Sequence, residues 1–186
     1  MALGAKQRVT LDEFEACIAL PENTDKIFEL IDGEIVEVPS NPYVSKIAAR
    51  ILTFIGMYLL ENDHGHLTGA DGDYVVGGER YAPDVAYISY ERQPELAQQG
   101  YNPNPPELAV EVISNVTNAE EQRRLRLKLS GYLSAGVMVW VVNAQERRVE
   151  VHRAGHAAQE FDETSTLRAQ DILPGFRLAV SDIFPQ

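Results

Sequence analysis

The chain has a single cysteine, Cys17, among 186 residues. That excludes a disulfide framework and a cysteine-based zinc site, and it fits a reducing compartment, so a cytoplasmic location is expected. Positive charge is also scarce, with 16 Lys and Arg against 28 Asp and Glu and a net charge of −12. Affinity for phosphate backbones comes mainly from Lys and Arg, so the balance argues against a protein that coats nucleic acid by bulk charge. Met1 to Thr10 lacks the apolar core of a signal peptide. No apolar run is expected to reach transmembrane length, so no membrane partner is expected. Phosphate loops, dinucleotide fingerprints, zinc-helix motifs and nucleophile elbows are all missing. So are repeats, low-complexity tracts and linkers, and the length then points to a single domain over residues 1–186.

What is present centres on the stretch Glu107 to Tyr132. Leu108 to Ile113 reads as a short apolar strand between Pro105-Pro106 and Ser114-Asn115. Glu111 sits inside it, on the face shared by Ala109 and Ile113. A carboxylate there is costly to bury unless it is paired or binds a metal. A helix follows, with Thr117 and Glu120 at capping-box spacing, and it runs amphipathically to Ala135. Lys128 lies one turn before Tyr132 and one turn after Arg124, at the boundary between the polar edge and a packed face of Leu125, Leu129 and Leu133.

A second acid, Asp84, heads the strand that follows Pro83, a position where proline is tolerated. If the two strands are neighbours, Asp84 and Glu111 meet. Two carboxylates in a partly dry site repel each other unless one is protonated or a cation lies between them. Mg²⁺ takes oxygen ligands and is commonly held by one or two carboxylates plus phosphate oxygens. Asp84, Glu111 and Lys128 together therefore suggest a phosphate-handling metal site.

The remaining pattern is that of an α/β domain with a mixed sheet. A short helix is expected over Leu11 to Leu20, capped by Thr10 with Glu13. Ile27 to Ile31 and Glu34 to Val38 read as a hairpin turning at Asp32-Gly33, with Glu29 read as a solvent-facing residue of an edge strand in preference to a catalytic one. Ile47, Ile51, Ile55 and Tyr58 mark a helix from about Pro42 to Asn62. Leu67 to Val76 reads as one weak strand broken by glycines, and Asp71-Gly72-Asp73 lacks the glutamate of a calcium loop. His64 and His66 read as surface residues. Val137 to Val142, with Trp140, is a central buried strand that pairs with Arg147 to Arg153. Short strands near Phe161, Leu167 and Pro174 to Leu178 precede a terminal turn at Asp182 to Phe184. Arg123, Arg124, Arg126 and Lys128 form the densest basic cluster. It reads equally well as a substrate surface or as a solvated face paired with Glu120 and Glu121.

Five segments in order carry a resemblance over nearly the whole chain. They are Phe28 to Ile35, Ala82 to Val85, Glu107 to Ser114, Lys128 to Val137 and Leu173 to Phe176. The set resembles the bacterial Uma-two-type restriction endonuclease family, a branch of the PD-(D/E)XK nuclease superfamily. The resemblance implies a restriction-endonuclease-like core, a central mixed β-sheet flanked by helices. It implies Mg²⁺ or Mn²⁺ held by Asp84, Glu111 and the carbonyl of Val112, with Lys128 as the catalytic lysine. The superfamily's Glu-x-Lys signature would put lysine at 113, where this chain has Ile113; in this branch the lysine is supplied by the following helix, which matches Lys128. A histidine that family members often carry near Val44 or Ser45 is absent.

The expected function is metal-dependent hydrolysis of nucleic-acid phosphodiester bonds, with DNA as the partner. A homodimer is compatible with this reading. The rival, favoured by the absent histidine and the acidic balance, is a catalytically idle nuclease-fold module that binds DNA or a protein. A glycosidase built on the two acids would leave the lysine idle.

Overall fold

The computed structural model describes residues 8–38, 41–114 and 117–185. Asn115, the expected end marker of the acidic strand, and most of the N-terminal segment lie outside them. Helix α1, Leu11–Ile18, is capped by Thr10 and Glu13 as the spacing predicts. The hairpin β1 Phe28–Ile31 and β2 Glu34–Glu37 follows. It turns at Asp32 and Gly33, both at positive φ, the geometry of a tight two-residue hairpin loop. Helix α2 covers Pro42–Glu61, with Asn41 as its cap.

The expected single strand from Leu67 to Val76 is instead two strands, β3 Gly65–Gly69 and β4 Tyr74–Val76. They belong to different sheets, because the turn around Gly72 redirects the chain. Next come β5 Glu79–Tyr81, β6 Val85–Ser89 and β7 Leu108–Ile113. Helix α3 spans Ala119–Ser134. The rest comprises β8 Met138–Asn143, β9 Arg148–His152, β10 Gln159–Phe161, β11 Thr166–Ala169, β12 Leu173–Ala179 and a short α4, Val180–Ile183.

The main sheet has six strands in the order β10-β9-β8-β7-β6-β3, and a second sheet has the order β2-β1-β5-β4. The six-stranded sheet is mixed: β7 and β8 run parallel, joined through α3, while β6 and β9 flank them antiparallel. Side-chain alternation gives β7 two different faces. Leu108, Val110 and Val112 join Ile47, Ile51 and Ile55 of α2 in one apolar cluster, with Trp140 and Phe176. Ala109 joins Val139, Val141 and Tyr132 on the opposite face, beneath α3. That second face also carries Glu111.

By length and composition α2 could cross a membrane, contrary to the expectation that no run approaches that length. Its three isoleucines are fully buried within the protein, while Met57 and Leu60 on the same helix are exposed. The cap of α3 also differs from expectation. Asn118, not Thr117, accepts from the Glu120 and Glu121 amides, and its amide group donates to Glu121. The helix ends with Gly136 at positive φ. Gly136 N–H donates to Leu133 and Val137 N–H to Tyr132, the paired bonds of a Schellman stop. That stop feeds the chain directly into β8.

Candidate active site

Strand register brings the two acids together. Val85 pairs with Val110 and Ala86 with Ala109; one step further along the same ladder sets Asp84 beside Glu111. The Val112 N–H donates to Asp84 Oδ2 at 2.7 Å, which fixes the head of β6 against β7. Both acids line an open cleft of about 410 Å³ between the β1–β2 hairpin, the end of β7 and the start of α3. The cleft holds Lys128 as well, so all three predicted side chains converge.

The lysine does not sit at a polar edge. Lys128 and Tyr132 are the fully buried residues of α3, while Leu125, Leu129 and Leu133 are only partly buried. The reason is electrostatic. Lys128 Nζ lies 2.7 Å from Glu111 Oε2 and 2.7 Å from Glu29 Oε1. A buried ammonium is tolerated where its charge is paired and its hydrogens find acceptors. Burial alone would lower the Lys128 pKa, but the two carboxylates outweigh it and hold the group protonated.

Glu29 is therefore corrected from a solvent-facing position to a central one. It is 5% exposed. Its strand is an inner one, between β2 and β5. Glu29 Oε1 also accepts from the Ala82 N–H at 2.8 Å, two residues before Asp84. Its sequence context, an acid between Phe28 and Leu30 in a four-residue apolar strand, is the same signal that marked Glu111.

Tyrosines close the inner wall. Tyr132 donates to Glu111 Oε1 at 2.9 Å, so both oxygens of Glu111 are engaged. Tyr81 packs edge-on against Tyr132 at 5.0 Å between ring centroids, with the Lys128 ammonium 5.7 Å from its ring centroid. Gly131 makes this approach possible: a Cβ there would meet the Tyr81 hydroxyl at 2.5 Å. Burial, together with Glu29 and Asp84, raises the Glu111 carboxyl against the pull of Lys128. Burial also raises Asp84, partly offset by the Val112 amide and Lys128.

Glu29, Asp84 and Glu111 are the cleft carboxylates that could hold a divalent cation. Three carboxylates, from Glu29, Asp84 and Glu111, face the one ammonium of Lys128. When all are ionised, two negative charges remain uncompensated. No hydrogen bond falls on Asp84 Oδ1 among the described residues. Nor do those residues contain a group of three or more His, Cys, Asp or Glu able to cage a metal. A cation here would be held by one or two carboxylates and complete its shell with water or phosphate oxygens, the habit of Mg²⁺.

Outside the cleft, His64 is partly buried between Tyr58 and Tyr87 and hydrogen-bonds to both hydroxyls. It ties α2 to β6 and is remote from the acids. The Asp73 carbonyl accepts from the backbone and side-chain amides of Asn102 and so holds the 91–106 loop.

Residues 11–181 match the family Uma2, described as "Putative restriction endonuclease". The chain belongs to that family. No curated protein matches it in sequence. Among solved structures it is similar to one described as a "putative nuclease belonging to DUF820", from Anabaena variabilis ATCC 29413. The two share 20% identity with a TM-score of 0.77, over 95% of this chain and 97% of that one. At that identity the likeness establishes the mixed α/β fold alone, while the Uma2 membership carries the nuclease assignment.

Proposed function

We propose that this Uma2 protein is a divalent-metal-dependent endonuclease acting on DNA. One observation carries the reading: Glu29 of β1 and Glu111 of β7 pair with a single buried lysine, and Asp84 at the head of β6 lines the same open cleft, so acids outnumber that lysine there. Asp84 and Glu111 would hold Mg²⁺ or Mn²⁺, with the Val112 carbonyl as a third ligand on the family pattern. The bound ion would polarise the phosphodiester and lower the pKa of a water.

The chain's own residues supply the rest. Lys128 stays charged between Glu29 and Glu111, so it orients the attacking water or stabilises charge at the phosphorane rather than accepting a proton. Glu29 aims the ammonium, and Tyr132 fixes the Glu111 carboxylate. The idle-module alternative rests on the absent histidine at Val44 or Ser45, and the same experiment decides between them.

That experiment is plasmid nicking with Mg²⁺ or Mn²⁺ at matched protein concentration. Wild type should nick the plasmid. Asp84→Asn should lose several kcal/mol of catalysis, about a thousand-fold or more. Lys128→Ala should lose about a hundred-fold or more. Nicking that survives Asp84→Asn would come from a contaminant, and a wild type that neither nicks nor binds metal would establish the idle module.

A further inference from the structure

We propose that Arg124 is the residue that grips the substrate phosphate at the mouth of the cleft, resting on the endonuclease reading above. The cleft wall is strongly acidic, with Glu29, Glu37, Asp84, Glu111, Glu120 and Glu121. Its cations are Lys128 and Arg124. A polyanion entering such a wall needs a positive contact besides the metal. Lys128 is committed, hydrogen-bonded to Glu111 and ion-paired with Glu29.

Arg124 stands one helical turn before Lys128 on the same side of α3. Its Nε is buried without a hydrogen bond, although it lies 3.1 Å from Glu120 Oε1. The pair is a poorly aligned contact at the protein surface, with side chains 36% and 49% exposed. Exposed pairs of this kind contribute little. A guanidinium presents its donors as a planar fork that matches two phosphate oxygens, and such charge-assisted pairs are the stronger ones. Exchange of Glu120 for phosphate would therefore be favourable.

Glu120 is not orphaned by the exchange. Arg123 already bonds it twice, at 2.9 and 3.2 Å, and also bonds Glu34 at 2.8 Å. Arg123 is thus the structural member of the basic cluster, linking α3 to the β1–β2 hairpin. Arg124 is the member able to change partners.

The test is fluorescence anisotropy with a short labelled DNA duplex and its single strand, with Ca²⁺ replacing Mg²⁺. Mn²⁺ affinity is measured in parallel by calorimetry without DNA. Arg124→Gln should raise the DNA Kd about ten-fold or more and reduce the salt slope by about one. Its Mn²⁺ affinity and melting temperature should match wild type. Arg124→Lys should restore the salt slope but only part of the affinity, since the fork is lost. Glu120→Gln, which releases Arg124, should tighten DNA binding about two- to five-fold. DNA binding by Arg124→Gln equal to wild type would overturn the proposal while leaving the endonuclease reading intact. Loss of Mn²⁺ binding along with DNA binding would also overturn it, by making Arg124 structural. Wild type that binds neither DNA would overturn both readings.

Discussion

Helices α2 and α3 lie on opposite faces of one sheet and bury opposite kinds of side chain. Ile47, Ile51 and Ile55 of α2 are fully buried in an apolar cluster. On α3 the two buried residues are Lys128 and Tyr132. Each buried isoleucine contributes about 1.5–3 kcal/mol. A buried ammonium costs several kcal/mol before pairing, and pairing at best offsets that cost. One face is apolar throughout, while the other adds to its apolar cluster a charge cluster that well-packed apolar residues would outperform. The charge kept at a buried position of α3 is what the proposed reading uses on that face.

The contrast can be broken most forcefully at the lysine. Lys128→Met would leave Glu29 and Glu111 buried without their cation, and should lower the unfolding free energy by about 3–5 kcal/mol in urea titrations. Adding Glu29→Gln and Glu111→Gln should recover most of that loss, since no buried charge would remain from the trio. A single Lys128→Met variant as stable as wild type would show that the α3 face is no different from the α2 face. On the other side, Ile51→Ala should cost about 2–5 kcal/mol, with Mn²⁺ affinity of the folded protein unchanged by calorimetry. Altered Mn²⁺ affinity there would couple the two faces.

A smaller effect belongs to Tyr132. Tyr132→Phe removes the donor to Glu111 Oε1 and leaves a buried acceptor unpaired, for about 1–3 kcal/mol in the same titration. The smallest concerns pH. Burial, then Glu29 and Asp71, raises the Asp73 carboxyl from 3.8 to about 7. The folded protein then holds a proton that the unfolded chain has released, so Asp73 contributes stability below about pH 4 that is lost as pH rises through about 7. Glu111 acts in the same direction in metal-free protein. Melting temperature in EDTA should fall across that window, and Asp73→Asn should flatten the fall. An unchanged profile in Asp73→Asn would free that carboxyl from any part in it.

Much of this was legible in the sequence where one rule acted alone. The Thr10–Glu13 cap, the Asp32-Gly33 turn, the isoleucine stripe of α2 and the β7 alternation all depend on local spacing, and the structure follows them. Asp84 and Glu111 were legible as a pair because one heads an apolar strand and the other interrupts one. Lys128 was legible as a site residue at the border of the packed face with a stem that could be buried, but not as one of the two buried residues of α3. Hydropathy places the leucines of α3 inward, whereas the acids of two other strands draw the lysine in instead. Glu29 was assigned to an edge because the hairpin β1–β2 looks free-standing in sequence. Its inner position comes from β5, a three-residue strand far along the chain, which no local pattern announces. The split of Leu67 to Val76 between two sheets was hidden for the same reason.

Gly131 restricts the order in which this chain can change. A glycine inside a helix costs about 1 kcal/mol relative to alanine, so Gly131→Ala would ordinarily be among the first substitutions tried for heat resistance. Here the Tyr81 hydroxyl, 2.5 Å from the Cβ position, bars it. The next contacts, with the Tyr81 ring at 3.1 and 3.2 Å, would need a shift of only a few tenths of an ångström. Gly131→Ala should therefore be harmful alone and tolerated after Tyr81→Phe. The two positions form an epistatic pair, and a mutational path toward a more rigid α3 must pass through the tyrosine before it reaches the glycine.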